Sequence, residues 1–221
     1  MEQAVYNPEA GHQRYLLKNG EEVTGASTIA KVDDDNTGLI IWANGLGLKG
    51  INCMKQRDAD ADAGSVAHFM VHCHFKRLEP VFRKVSQDAI DTGERVFQKF
   101  MNWWVDEELS FIATEIELTS ETHKFGGTID LVARDSRGKI WVIDIKTSKK
   151  IHFGHKCQLA GCGQLWDENY TDKPSSKLYV VRLPRNMGRV EEYKIPNREE
   201  LFDTFLAQLN YRNKKFIAGG Y

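Results

Sequence analysis

Apolar and polar positions along this chain recur with two periods, and the switches between them lay out its elements. Residues 14–17 and 23–29 are short apolar-rich segments around Lys18-Asn19-Gly20-Glu21, the pattern of a hairpin turning at Asn-Gly. Ser27-Thr28-Ile29 starts a short helix. Residues 39–42 form another short apolar segment, followed by a glycine-punctuated stretch over 44–50. The Asp/Ala alternation at 58–62 leads into a helix over about 64–78. There Val66, Phe69, Met70 and Cys73 recur at i, i+3, i+4 and i+7. A longer helix covers about 87–109, with Ile90, Phe97, Met101 and Trp104 on one face.

The period then shortens to that of strands, over 111–118, 127–134 and 140–146. Asp135-Ser136-Arg137-Gly138 turns the chain between the last two, which are therefore antiparallel neighbours. A helix follows over about 153–169, burying Leu159, Cys162 and Trp166. Residues 177–183 and 189–195 make a second strand pair turning at 184–188. Asn197 caps a final helix, with Glu200 placed as in a capping box and Phe202, Phe205, Leu209 and Phe216 as the core face. The order is an α/β arrangement without repeats or low-complexity linkers. It is expected to form a single domain over 1–221 with an N-terminal elaboration at about 1–60.

Composition narrows the classes. With 41% hydrophobic and 28% charged residues among 221, the chain is an ordinary globular one. At this length it buries roughly two-thirds of its unfolded surface. No apolar run approaches the roughly 20 residues that span a bilayer, and no signal peptide opens the chain, so the expectation is a cytoplasmic protein without a membrane partner. Cys53, Cys73, Cys157 and Cys162 form no CxxC pair and are expected as free thiols. The net charge of -1 lacks the basic surplus usual in nucleic-acid binders. A metal-dependent nuclease, however, cancels a basic groove with its own carboxylates. Local clusters at Lys146, Lys149, Lys150 and at Arg212, Lys214, Lys215 are each, taken alone, solvated surface.

Three residues misfit their strands. Asp130, Asp144 and Lys146 stand where a sheet core takes Val or Ile. Side chains alternate along a strand, so Asp144 and Lys146 share a face roughly 7 Å apart, with Val142. Asp130 lies near the end of the neighbouring strand, after Gly126-Gly127, where backbone or ligand can approach closely. Two carboxylates and a lysine on adjacent strands suit a hard divalent cation such as Mg²⁺ or Mn²⁺. By itself, though, an Asp-x-Lys is more simply a structural ion pair at a sheet rim.

More residues change that balance. Glu115 lies in the preceding strand, with Ala113 and Glu117 as its alternation partners, and Gln158 in the following helix. Gly64-Ser65-Val66-Ala67-His68, Glu115, Gly126-Gly127-Thr128-Ile129-Asp130, Asp144-Ile145-Lys146-Thr147 and Gln158-Leu159-Ala160 together resemble the RecB-like branch of the PD-(D/E)XK nuclease superfamily. The likeness runs from about Gly64 to Trp166, and residues 14–29 look like the lead-in of phage-encoded members. Ile129 replaces the Pro of the family's name.

The resemblance implies a three-layer restriction-endonuclease-like core with a mixed central β-sheet flanked by helices. It implies Mg²⁺ or Mn²⁺ held by His68, Asp130, Asp144 and the Ile145 backbone carbonyl, with Glu115 at a water shell or a second metal. Asp130, Asp144, Glu115 and Lys146 would be the catalytic set, with Lys146 orienting or activating the nucleophilic water. Gln158 would brace the site or touch the DNA backbone, and Thr147, Ser148, Lys149 and Lys150 would lie along DNA. An iron–sulfur cluster, held in some relatives by late cysteines, is not expected because no cysteine follows Cys162. With no GxxxxGK[ST] motif, unwinding would come from a partner.

The activity implied is a metal-dependent deoxyribonuclease, an exonuclease at DNA ends in recombination, repair or replication. DNA is the partner, beside a single-strand annealing, helicase or replication protein, in the bacterial host's cytoplasm if phage-encoded. The alternatives are a structure-specific or nicking endonuclease and, further off, an inactive DNA-binding protein. His72 and His74 read as packing or surface residues, because the Glu of HExxH is missing. His155 reads as a surface histidine. Trp104 belongs to the core stripe, while Trp103 is open between packing and base stacking. Ser148, Lys149 and Lys150 are equally open between phosphate binding and plain surface.

Overall fold

A computed structural model of the chain describes residues 2–8, 14–32 and 36–217; the Phe216 side chain, expected in the core, lies outside that description. In chain order the elements are β1 (Gln3–Tyr6), β2 (Tyr15–Leu16), β3 (Glu22–Gly25), α1 (Ala26–Ile29), α2 (Thr37–Gly47), α3 (Cys53–Lys76), β4 (Glu79–Phe82) and α4 (Gln87–Asp106). There follow β5 (Ser110–Ser120), β6 (Phe125–Arg134), β7 (Ile140–Lys146), α5 (Phe153–Asn169), β8 (Ser175–Arg182), β9 (Glu191–Lys194) and α6 (Arg198–Ile217). They divide into two compact units, Met1–Gly11 with Asp34–Met101, and His12–Asp33 with Asn102–Tyr221.

In the first unit β1 and β4 pair in parallel, a pairing that strands of only four residues each concealed. Tyr6 from β1, Phe69 from α3 and Phe82 from β4 meet as an aromatic cluster, with ring centroids 5.5 to 6.3 Å apart. α3 begins earlier than its apolar stripe, at Cys53, because Asn52 caps it: Asn52 Oδ1 accepts from the Met54 and Lys55 N–H groups. The Asp/Ala run is thus helix. So is the apolar segment 39–42, which lies in α2 with no buried residue and with Leu39, Ile40 and Ile41 exposed.

α4 buries Ala89, Val96, Phe100 and Trp103, one residue round from the expected face of Ile90, Phe97, Met101 and Trp104. The reason is a close helix approach: a methyl added at Gly93 would overlap the Val66 side chain of α3. The small residues mark the contact and the large ones flank it. Trp103 is the buried tryptophan, its Nε1 donating to Glu192 Oε1 at 2.5 Å.

The second unit carries the seven-stranded mixed sheet, in the order β2-β3-β6-β7-β8-β9 with β5 also on β6. β3–β6 and β7–β8 are parallel, and the other pairs antiparallel. One core cluster joins Val132, Val142, Leu178 and Val180 of the sheet to Leu159, Cys162, Leu165 and Trp166 of α5 and Phe205 and Leu209 of α6. Leu131, Ile143, Ile145 and Val181 are buried as well, so the central strands are covered on both faces, as in the middle layer of a three-layer core. β7 and α5 match the expected ranges. β8 and β9 confirm the second antiparallel pair.

The Asp135 turn between β6 and β7 is tied at four points. Its carboxylate accepts from the Arg137 and Lys139 N–H groups, from Trp141 Nε1 and from Lys177 Nζ at 2.8 to 3.0 Å. All four cysteines are free thiols. No helix among the described residues is long and apolar enough to cross a membrane.

Candidate active site

The site grows out of a fork in the sheet. β5 pairs with β6 from Phe125 to Arg134, with the ladder passing over Asp130. The other edge of β6 is shared: β3 takes Phe125 and Gly126, and β7 takes Leu131 to Arg134. Gly127 to Asp130 lie between, where β6 and β7 part beyond the pair Leu131–Ile143.

Asp130 closes the fork. Its Oδ2 accepts the Ile145 N–H at 2.7 Å, in place of a ladder bond. Its own carbonyl accepts from Thr114 Oγ1 at 2.8 Å. Lys146 sends its carbonyl to the Leu183 N–H beyond β8 at 2.8 Å. Successive strand residues direct their backbone groups to opposite edges, so the Ile145 carbonyl, like its N–H, points into the fork.

On β7, Lys146 Nζ donates to Asp144 Oδ1 at 2.7 Å, and Gln158 Nε2 of α5 donates to the same oxygen at 3.2 Å. The Asp144 side chain is 4% exposed and that of Lys146 19%. Burial opposes the lysine's charge, but Asp144 and Asp130 outweigh it and hold its pKa above the usual range. Burial, with the same two carboxylates, raises the Cys162 thiol, which stays protonated and offers no thiolate.

Glu115 stands across β5 from Asp130, between the pairs Thr114–Leu131 and Ile116–Ile129. It has φ +49°, a strained conformation for a residue with a side chain. The consequence corrects the expected alternation. Ile116 and Ile129 pack on the α5 core before this pair, and Ala113 and Val132 pack on it after. The pleat therefore changes phase at Glu115–Asp130, and Ala113 does not share a face with exposed Glu117. A carboxylate oxygen of Glu115 lies within 4.8 Å of one of Asp130. Two oxygens on one Mg²⁺ lie roughly 3 to 4 Å apart, and the donors here are hard oxygens. The set fits a divalent cation.

The remaining candidates come from other segments of the chain. His68 is half-buried on α3, in the first unit. Thr147 and Ser148 are half-buried and Lys149 and Lys150 exposed in the loop after β7, where Ser148 Oγ donates to the Lys150 carbonyl. His155 is no plain surface residue. It is half-buried and its Nδ1 accepts the His152 N–H at 3.2 Å. Burial, then the charges of Lys146, His152 and Lys31, press its pKa down to about 3. The Gly126-Gly127 opening is filled from within: Tyr15 lies against Gly126 and shares a 2.9 Å hydrogen bond with Thr128 Oγ1.

Two residues escaped the sequence reading. Arg182 clamps Glu191 with two nitrogens and gives a third bond to the Ser148 carbonyl at 3.3 Å. Its signal was there, a charge inside the apolar run Leu178–Leu183. Tyr15 carried no such signal, since its partner lies 113 positions away.

Among solved structures, the crystal structure of SSO0001 is 20% identical, with 73% of this chain and 75% of that one covered at a TM-score of 0.39. A Eubacterium rectale protein provisionally named an exonuclease is 9% identical, with 84% and 67% covered at a TM-score of 0.42. No curated protein is significantly similar to the chain in sequence. The family model of the PD-(D/E)XK nuclease superfamily matches residues 45–220. That span includes the fork, its carboxylates and Lys146, and the chain belongs to the PD-(D/E)XK nuclease superfamily.

Proposed function

We propose that the chain is a metal-dependent deoxyribonuclease of the RecB-like branch, hydrolysing phosphodiester bonds as an exonuclease at DNA ends in recombination, repair or replication. The observation that carries this reading is the fork, where Asp130, the Ile145 peptide, Asp144 and Lys146 are linked by hydrogen bonds of 2.7 Å. Asp130, Asp144 and the Ile145 carbonyl would hold the ion with Glu115 beside them. The Gly64–His68 motif adds His68 as a further ligand. When bound, Mg²⁺ or Mn²⁺ supplies Lewis-acid polarisation of the phosphoryl oxygen and charge for the leaving oxygen.

The chain's own groups do the rest. Lys146 presents a hydrated, compact cation to the attacking water and to the negative charge that grows on the phosphoryl oxygens. Asp144 fixes the direction of that ammonium, and Gln158 fixes Asp144. Asp130 keeps the Ile145 peptide from turning. Thr147, Ser148, Lys149 and Lys150 follow directly and take DNA phosphates.

The test is digestion of single- and double-stranded DNA labelled at either terminus, with each end blocked in turn, under Mg²⁺, Mn²⁺ and chelator. Release of products from unblocked ends, lost with chelator, is expected. Cutting of a covalently closed circle would replace the end-dependent reading by an endonuclease. Absence of cleavage on every substrate with either ion would remove the nuclease reading.

A further inference from the structure

A cationic pocket opens in the second unit, on a part of the fold that the fork does not use. It has a volume of about 330 Å³ and is lined by Thr28 of α1, by Lys31 and Val32 just after it, and by Tyr211, Arg212 and Lys215 of α6. The core explains why segments so far apart in sequence meet there. Ala26, Ile29 and Ala30 are buried in the same cluster as Phe205 and Leu209 of α6, so the outer side of α1 lies beside the last turns of α6. From the buried Gln208, Tyr211, Arg212 and Lys215 follow at i+3, i+4 and i+7 and share a helix face.

At the end of a helix, Arg212 and Lys215 by themselves would only complement its negative pole. Lys31 changes that reading, because it brings a third cation from another segment to the same concavity. Among the described residues, no ion pair or hydrogen bond occupies any of the three side chains, and no carboxylate lines the pocket. Three cations around one hollow repel one another, and an anion between them relieves that cost. Guanidinium and ammonium groups suit phosphate oxygens, and the Thr28 and Tyr211 hydroxyls are further donors. Tyr211, 57% exposed, adds a ring face against which a sugar or base can lie. Burial is the first cause of the low His155 pKa, and the charges of Lys146 and Lys31 add to it. The fork's cation and the pocket's cation therefore both reach the start of α5.

We propose that this pocket binds a backbone phosphate of the nucleic acid outside the fork, with Lys31, Arg212 and Lys215 as its cationic donors. The proposal rests on the nuclease reading and adds to it a second point of attachment, on α1 and α6. A phosphate there comes either from an internal phosphodiester or from a terminal phosphomonoester, and the two sources separate by substrate.

The experiment uses the full chain with R212A/K215A, K31A and R212K. Binding of fluorescent oligonucleotides in chelator is followed against salt, and steady-state cleavage with Mg²⁺ over a series of oligonucleotide lengths. R212A/K215A is expected to weaken binding of long oligonucleotides about tenfold and to lower the slope of log affinity against log salt by about 0.7 to 0.9, the share of one phosphate. KM should rise accordingly with a smaller change in kcat. The effect should fade as the oligonucleotide shortens, because pocket and fork share no residue. K31A should act in the same direction, and R212K should recover part of the loss. Equal losses for 5′-phosphate, 3′-phosphate and hydroxyl ends assign an internal phosphodiester, and a loss confined to one phosphorylated end assigns a terminal phosphate.

Unchanged affinity and salt slope in both R212A/K215A and K31A overturn the pocket while leaving the nuclease reading intact, provided D144N abolishes cleavage. If poly-L-glutamate is held by the unaltered chain and lost by R212A/K215A while DNA binding is unchanged, the pocket takes an acidic protein segment instead and the proposal falls. Failure of the unaltered protein to bind or cut any nucleic acid overturns both readings. All three cations are exposed; if R212A/K215A nevertheless melts early, K31E carries the same test with the charge reversed.

Discussion

Glu115 and Asp130 face each other across two strands at the one pair their ladder skips, and on either side of them the pleat changes phase. The conformation that allows this, φ +49° at Glu115, costs a residue with a Cβ about 1 to 2 kcal/mol. The strain coincides with the carboxylate that adjoins Asp130, as strained residues at sites often do. Glu115→Gly should therefore melt higher than Glu115→Ala by about 1 kcal/mol, while both lose most cleavage. Equal melting of the two variants would mean that the conformation carries no strain.

Asp130 has separable duties toward the Ile145 N–H and toward the cation. Asp130→Asn keeps an acceptor for the peptide and loses the charge, so it should fold normally and cleave at least a hundredfold more slowly. Asp130→Ala should also unfold more easily by about 1 to 3 kcal/mol, because a buried N–H loses its partner. Calorimetry and initial rates separate the effects. Retained cleavage in Asp130→Asn would remove it from the metal set.

Metal should stabilise the fold by mass action. At one hundred times its dissociation constant, Mg²⁺ or Mn²⁺ adds about 2.7 kcal/mol, read as a rise in melting temperature that chelator reverses. Asp130→Asn and Asp144→Asn should show little of it. Lys146→Met leaves Asp144, nearly inaccessible at 4%, without its cation. It should melt low in chelator and gain more from Mg²⁺ than the unaltered chain.

Gly126 has no room for a side chain. Gly126→Ala would drive a methyl into Tyr15 and should cost about 1 to 3 kcal/mol by overpacking. In the Tyr15→Ala background the same substitution should cost much less. An equal cost in both backgrounds would show that the clash lies elsewhere.

His155 sets an acid limit. Its folded pKa, about 3, lies below the 6.5 it has when exposed. Between these values the unfolded chain binds more protons, so stability is full above pH 6.5 and declines as pH falls toward 3. His155→Gln removes this titration and should flatten that part of the stability–pH curve. An unchanged curve would show that other groups govern acid unfolding.

Much of the fold was legible because its strongest signals are local. The apolar run of β7, the Asp-Ser-Arg-Gly turn and the period of α5 each lie within a window that sequence can weigh. The face of α4 was misjudged because helix contact is decided by the small residues at closest approach, Gly93 against Val66, and a pattern of large residues cannot see them. α2 was not legible because an apolar segment without buried partners carries no periodicity that distinguishes helix from strand.

The sequence by itself determined which groups misfit their strands: Asp130, Asp144 and Lys146 are charges in apolar runs, and that cost demands a compensating use. Tertiary structure alone decided how they meet. It parted β6 from β7 so that Asp130 bonds a peptide instead of a neighbour's ladder, and brought Gln158 onto Asp144 from a helix 14 residues on. It also turned Glu115 against the pleat. Alternation along one strand fixes only where side chains would point in an unbroken sheet. Where the sheet forks, backbone groups are released from the ladder, and the side chains nearest them settle the geometry.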